Sequence, residues 1–85
     1  MNTIMIKKLY ELANTALPKR FHITKDCKLV GVSEHGSKEY YAENAILENL
    51  AKEHKKDGVF FKHGYTPFIY VDKRQYEELY LGIFQ

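Results

Sequence analysis

The chain has 85 residues, of which 45% are hydrophobic and 28% are charged. This length suits one small domain (residues 1–85), and this composition is ordinary for a folded protein, which excludes an intrinsically disordered chain. The single cysteine, Cys27, excludes an internal disulfide and favours a reducing cytoplasm. No apolar run approaches the ~20 residues that span a bilayer, and the formal net charge of +2 is too small to indicate nucleic-acid binding by itself.

A first helix is predicted from Asn2 or Thr3, either of which can cap it, to about Leu17. Apolar residues recur along it at intervals of three and four and predict its buried stripe: Met5, Leu9, Leu12, Ala13 and Ala16. Pro18 stops the helix, because proline disfavours helical backbone in the residue before it.

The next segment, from Arg20 to Ser33, has β character. Phe21 and Ile23 alternate with polar residues, and an apolar run follows at residues 29–32. This pattern predicts a hairpin, or one strand preceded by an extended arm. Cys27 is expected to be a small buried strand residue, because it alternates with Leu29.

A second helix is predicted from about Lys38 to Lys56, with Ser37 as its N-cap and Gly58 beyond its end. Its buried stripe is predicted to consist of Ala42, Ile46 and Leu50, flanked by Ala45, Leu47 and Ala51. Glutamates at helical spacing predict a solvent-exposed face: Glu39, Glu43, Glu48 and Glu53.

A second hairpin is predicted from strands Val59–His63 and Phe68–Val71, joined through residues 64–67. Asp72 then caps a third helix, whose predicted inner face is Tyr76, Leu79, Tyr80 and Ile83. The sequence therefore predicts a small α+β domain in the order α-ββ-α-ββ-α, with an antiparallel sheet packed by helices. Six residues are predicted to share its core: Leu12, Ile46, Leu50, Ile69, Val71 and Leu79.

The second hairpin is rich in aromatic residues, and its loop length decides which of them share a face. A loop of two or four residues places Phe61 with Phe68 and Tyr70, whereas a loop of three places Phe60 and Lys62 with them. Both faces are apolar in either register. Either helices cover both faces, or one face stays open to dock a partner protein or stack unpaired bases. The candidate protein-binding residues are Tyr65, Phe61, Phe68 and Tyr70.

The basic residues are concentrated in the first half of the chain, where residues 1–38 carry seven Lys/Arg against three Asp/Glu. These residues can simply form a solvated face of the domain. Alternatively, they form a phosphate-binding surface that consists of Lys7, Lys8, Lys19, Arg20, Lys25 and Lys28. The four histidines have no metal-ligand spacing, and no nucleophile motif accompanies Cys27. We therefore expect neither a metal nor a cofactor.

These observations favour a cytoplasmic, non-enzymatic binding protein that docks on a partner protein and inhibits or modulates it. Small single domains rich in lysine and tyrosine are typical of phage and mobile-element accessory proteins, and we expect the chain to be of that type. The alternative is a nucleic-acid-binding accessory protein that uses the N-terminal basic residues. No membrane association is expected.

Overall fold

The computed structural model describes residues 2–72 and Arg74. Within them the elements follow in the order α1 (Asn2–Ala16), β1 (Phe21–Ile23), β2 (Leu29–Gly31), α2 (Lys38–Glu53), β3 (Val59–His63) and β4 (Pro67–Val71). A short 3-10 turn, Lys55–Asp57, links α2 to β3. The α+β class and the predicted order are confirmed as far as the fourth strand. The predicted third helix and its inner face, Tyr76, Leu79, Tyr80 and Ile83, lie outside the described residues.

The strands form an antiparallel sheet in the order β1-β2-β4-β3. β1 and β2 form one hairpin and β3 and β4 form the other, and β2 joins the two hairpins by pairing with β4, with Leu29 opposite Ile69. The last described strand is therefore internal to the sheet, while β1 and β3 are its edges.

Both helices pack on one face of this sheet, which we call the inner face. The core there combines residues of both helices with inward residues of all four strands: Ile6, Leu9, Ala13, Phe21, Leu29, Leu47, Leu50, Ala51, Val59, Ile69 and Val71. Because successive side chains of a strand alternate, the opposite or outer face carries His22, Val30, Phe60, Lys62, Phe68 and Tyr70.

Most of the predicted core lies where the sequence places it, with one exception on α1. Leu50, Ile69 and Val71 belong to the core and Ile46 packs against it, whereas Leu79 lies outside the described residues. Leu12 is 43% exposed, so its prediction as a core residue is wrong. The helix turns Ile6, Leu9 and Ala13 towards the sheet instead, which rotates Leu12 off the buried stripe.

The buried face of α2 also differs from the prediction. Ala42 and Ala45 are exposed, and the residues that the helix buries are Tyr40, Glu43, Leu47, Leu50 and Ala51. Among the glutamates predicted to be exposed, Glu43 is fully buried. Its prediction as part of a solvent-exposed face is therefore wrong. The helix begins as predicted, because the Ser37 side chain accepts a hydrogen bond of 3.1 Å from the Tyr40 N–H.

Cys27 is not a strand residue but the last residue of the β1–β2 turn. Its φ is +59°, in the left-handed region. The Thr24 N–H donates to the Lys28 carbonyl at 2.9 Å, which leaves a loop of three residues whose third position commonly adopts this conformation.

In the part of the chain that is described, no helix is long and apolar enough to cross a membrane.

Candidate docking surface on the sheet

The loop of the β3–β4 hairpin fixes which aromatic residues share a face. The strands leave three residues, Gly64 to Thr66, between them. Phe60 then pairs with Tyr70 and Lys62 with Phe68. This is the register predicted for a three-residue loop, and it places Phe60 rather than Phe61 beside Phe68 and Tyr70 on the outer face.

Three aromatic rings are linked by contacts on this outer face, with Tyr70 between the other two, and we call them the aromatic trio: Phe60, Phe68 and Tyr70. Phe60 stacks on Tyr70 with the ring centroids 5.8 Å apart and the planes at 29°. Tyr70 in turn lies 6.3 Å from Phe68. All three side chains are half-buried. Such contacts favour a defined arrangement of the rings, because aromatic pairs prefer particular offsets and angles.

The ring of Phe68 is held by neighbours from two other parts of the fold. The Lys28 Nζ lies 4.9 Å from its centroid, within the range of a cation–π interaction. Gly64 approaches it so closely that a Cβ there would lie 3.1 Å from the ring. Phe68 is therefore packed against the hairpin loop, and little side-chain freedom remains to be lost when a ligand binds.

Lys28 is itself positioned by the β1–β2 turn. Its Nζ lies 3.2 Å from an Asp26 carboxylate oxygen. The Thr24 hydroxyl donates a hydrogen bond to the same carboxyl group. The Thr24 hydroxyl, followed by Lys28, lowers the pKa of Asp26 below its ordinary value. The turn thus supplies an ionised partner that directs the lysine side chain near the outer face.

Tyr65 lies at the tip of the hairpin and is 72% exposed. Its carbonyl accepts a hydrogen bond of 3.2 Å from the His35 N–H, in the loop before α2. The backbone of the tip is therefore tied to the domain while the side chain projects into solvent. Since Gly64 contacts Phe68, Tyr65 directly follows a residue that adjoins the aromatic trio.

Phe61 lies on the inner face and is separated from the other candidates. It is half-buried and packs against the hydrophobic core. Its ring meets His63 edge-on, with centroids 4.8 Å apart. Of the four predicted docking residues, Phe68 and Tyr70 share the outer face, Tyr65 adjoins it, and Phe61 supports the core. Phe60 belongs to the surface but was not a candidate.

The predicted basic residues come from three separate segments of the chain. Lys7 and Lys8 belong to α1, on the helical side of the domain, and Lys19 and Arg20 lie between α1 and β1. Lys25 and Lys28 belong to the β1–β2 turn, and Lys28 alone of the six approaches the aromatic trio. The six residues therefore belong to a helix, to the segment after it and to a turn, and a phosphate-binding surface that joins them stays a prediction.

A second polar cluster surrounds the buried carboxylate of Glu43. The Ser33 N–H donates to its Oε1 at 2.9 Å, and the Ser33 hydroxyl donates to its Oε2 at 2.6 Å. Arg20 Nη1 lies 3.9 Å from the same Oε2. Gly31 makes room for it, since a Cβ there would lie 2.6 Å from Oε1. Both oxygens are thus occupied by protein donors, which is the arrangement of a structural acid.

In residues 2–72 and 74, no group of three or more His, Cys, Asp or Glu side chains is placed so that it could hold a metal ion. The candidate functional site in the described residues is therefore the aromatic trio with Tyr65 and Lys28. Comparison of the chain with protein-family models, with curated sequences and with solved structures gave no match.

Proposed function

We propose that this protein is a non-enzymatic binding protein that docks on a partner protein through the outer face of its sheet. The observation that carries the proposal is the aromatic trio, in which Phe60 and Phe68 each contact Tyr70 on the face turned away from α1 and α2. Tyr65 extends this surface at the hairpin tip. Aromatic side chains are enriched at the centres of protein interfaces because they bury a large area and have few rotamers to immobilise.

The distribution of charge favours a protein partner over a nucleic acid. A phosphate-binding surface needs several basic side chains on one side of the fold, because each contact adds to the affinity. Here the basic residues of the first half of the chain are divided between the helical side and the β1–β2 turn. We propose that docking inhibits or modulates the partner, as in phage and mobile-element accessory proteins, and that it takes place in the cytoplasm.

A single-stranded nucleic acid is the second candidate, and the position of Lys28 favours it. A cation beside a cluster of rings is the combination that binds a base together with its phosphate. The two candidates differ in their response to salt. Binding to phosphates weakens by a log–log slope of about −0.7 for each contact on a single strand. A gel shift with single-stranded or duplex probes that shows this slope supports the second candidate, and the absence of any shift at low salt excludes it.

The test of the proposal uses the outer face and a matched tyrosine elsewhere. A pull-down from an extract of the native host, followed by mass spectrometry, identifies the partner, and its affinity is then measured by calorimetry. We expect Tyr70→Ser and Tyr65→Ala each to cost about 2 kcal/mol of binding, roughly 30-fold in Kd. The control is Tyr41→Ser, on α2, where the tyrosine is 61% exposed.

The melting temperature of each variant separates docking from packing. For Tyr65→Ala we expect a nearly unchanged melting temperature, because the side chain lies mainly in solvent. If Tyr65→Ala and Tyr70→Ser lower stability while the affinity per folded molecule stays at the wild-type value, the outer face belongs to the protein's own packing. A loss of affinity as large in the Tyr41→Ser control places the docking surface on the helical side.

A further inference from the structure

The hydrogen bonds of β3 determine which of its backbone groups point away from the sheet. Residue pairs in an antiparallel ladder alternate between bonded and non-bonded. The Asp72 N–H donates to the Gly58 carbonyl at 2.7 Å, which makes that pair a bonded one. The pair Phe60–Tyr70, two positions further along, is therefore hydrogen-bonded as well. The pairs Phe61–Ile69 and His63–Pro67 fall between bonded positions and are non-bonded pairs.

The N–H and C=O groups of Phe61 and His63 therefore point towards the open edge of the sheet. At the start of the strand, the Val59 N–H is already bonded to the His54 carbonyl at 3.3 Å. The backbone–backbone hydrogen bonds of the described residues include none on the outward side of Phe61 or His63. The opposite edge, β1, has only three residues. With five residues, β3 is the longer of the two edge strands, and its end is the part that can accept an added strand.

The side chains next to this edge determine the charge of the segment that fits it. Lys62 projects from the outer face between Phe61 and His63, and Lys28 lies across the sheet beside Phe68. The outer-face residues of the four strands themselves, from His22 to Tyr70, include no aspartate or glutamate. Asp72 continues this face directly after β4, opposite Gly58 and at the other end of β3 from Lys62. Lys28 is paired with Asp26, so Lys62 supplies the positive charge beside the edge. Lysine in the middle of an edge strand also opposes pairing with a second copy, because registers that bring two such lysines together are repulsive.

We propose that an extended acidic segment of the partner protein adds to the sheet as a fifth strand beside β3. Its backbone pairs with Phe61 and His63, and a carboxylate on its outer side faces Lys62, next to the aromatic trio. This inference rests on the proposed function and names the chemistry of the partner. Backbone pairing supplies the alignment, and the charge selects the partner.

The test uses two blocked nine-residue peptides as probes, one alternating glutamate with valine and one alternating lysine with valine. Both have the same length and strand propensity and differ only in charge. Binding to the 15N-labelled protein is followed by NMR at low salt. We expect the glutamate peptide to bind roughly tenfold more tightly than the lysine peptide, because its charges attract Lys62 instead of repelling it. The amides of Phe61 and His63 should gain protection from hydrogen exchange.

His63→Pro examines the edge without disturbing the hairpin. Proline removes an outward N–H and leaves the β3–β4 bonds intact, since His63 and Pro67 form a non-bonded pair. We expect His63→Pro to bind the glutamate peptide roughly tenfold more weakly, from the lost hydrogen bond and the obstructing ring. His63→Ala keeps the N–H and is the matched control, with affinity expected close to wild type.

Any of three results overturns strand addition: equal affinity for the two peptides, no added protection at Phe61 and His63, or equal binding by the two His63 variants. A concentration-dependent dimer that protects the same amides assigns the edge to a second copy. Measured with the natural partner, Tyr70→Ser reports on the outer face and His63→Pro on the edge. A partner that is sensitive to the first substitution and not to the second leaves the proposed function standing and removes this inference.

Discussion

Glu43 is the buried charged residue of the described chain. A buried carboxylate is costly unless donors satisfy it, and here Ser33 supplies two hydrogen bonds while Arg20 supplies positive charge. The room it occupies exists because residue 31 is glycine. Helical spacing alone does not predict this burial, because the two donors and the missing side chain come from segments distant along the chain.

Removal of this carboxylate should destabilise the fold. We expect Glu43→Ala to lower the free energy of unfolding by about 2–4 kcal/mol, because it leaves the Ser33 donors without an acceptor and opens a cavity. Glu43→Gln should cost less, since an amide oxygen still accepts one bond. Urea denaturation measures both, with Glu53→Ala on the exposed face of α2 as the control. Similar losses in the three variants would show that the burial of Glu43 adds nothing to stability.

The carboxyl group of Asp26 gives a second test at this scale. Its pKa is lowered first by the Thr24 hydroxyl and then by Lys28. We expect Thr24→Val to raise that pKa towards the ordinary value of 3.8. Because the folded-state pKa is depressed, the stabilisation is present above the ordinary pKa and is lost as the pH falls through the folded-state value. An NMR titration of the Asp26 side chain measures the change, and an unaltered midpoint contradicts it. Lys28→Met should raise the pKa of Asp26 less than Thr24→Val does, because the Thr24 hydroxyl is the largest cause of the shift.

At the scale of the elements, the second hairpin and the start of α2 follow from local signals. The apolar pattern predicts the strands of that hairpin to within one residue, and Ser37 predicts the cap. For residues 20–33 the pattern permits a hairpin or a single strand after an extended arm, and the structure has the hairpin. The orientation of α2 about its axis is not local. Its small residues Ala42 and Ala45 have the periodicity of a buried stripe, yet the helix buries the larger Tyr40 and Leu47 against the sheet. Burial of the larger side chains removes more apolar area from water.

Leucine-to-alanine substitutions test which face each helix turns towards the sheet, because a buried leucine contributes more to stability than an exposed one. We expect Leu47→Ala to cost about 2–5 kcal/mol of stability, because that side chain is fully buried. The same cost is expected for the largely buried Leu50. Leu12→Ala should cost less than about 1 kcal/mol, because much of the side chain is already in solvent. Thermal denaturation compares them, and a loss at Leu12 as large as that at Leu47 would place it in the core.

The sequence predicts part of the candidate docking surface, because the positions of its aromatic residues depend on the register of the hairpin. The sequence indicates an aromatic hairpin but permits two registers, and a change of one residue in the loop exchanges the faces of Phe60 and Phe61. The three-residue loop decides between them. Tyr65 is independent of this parity, because it lies in the loop under either register, and its side chain is exposed.

At the scale of the whole molecule, the main feature is that both described helices pack on the same face of the sheet. The core that they form lies on the inner face, so the aromatic residues of the outer face are not required by that core. Composition does not indicate which face each helix covers, because apolar residues occur on both faces of the sheet. The pairing of β2 with β4 is equally invisible in the sequence, since alternation marks a strand without naming its neighbour.

The internal position of β4 has a consequence for how the chain folds as it is made. Helices α1 and α2 and the β1–β2 hairpin all leave the ribosome before the strand that joins the hairpins into one sheet. A two-stranded hairpin of such short strands is marginal in water, so these segments expose their apolar sides until residues 67–71 emerge. We therefore expect a nascent chain stalled before Pro67 to depend on chaperones, and a stop codon there to produce an aggregation-prone fragment instead of a smaller domain.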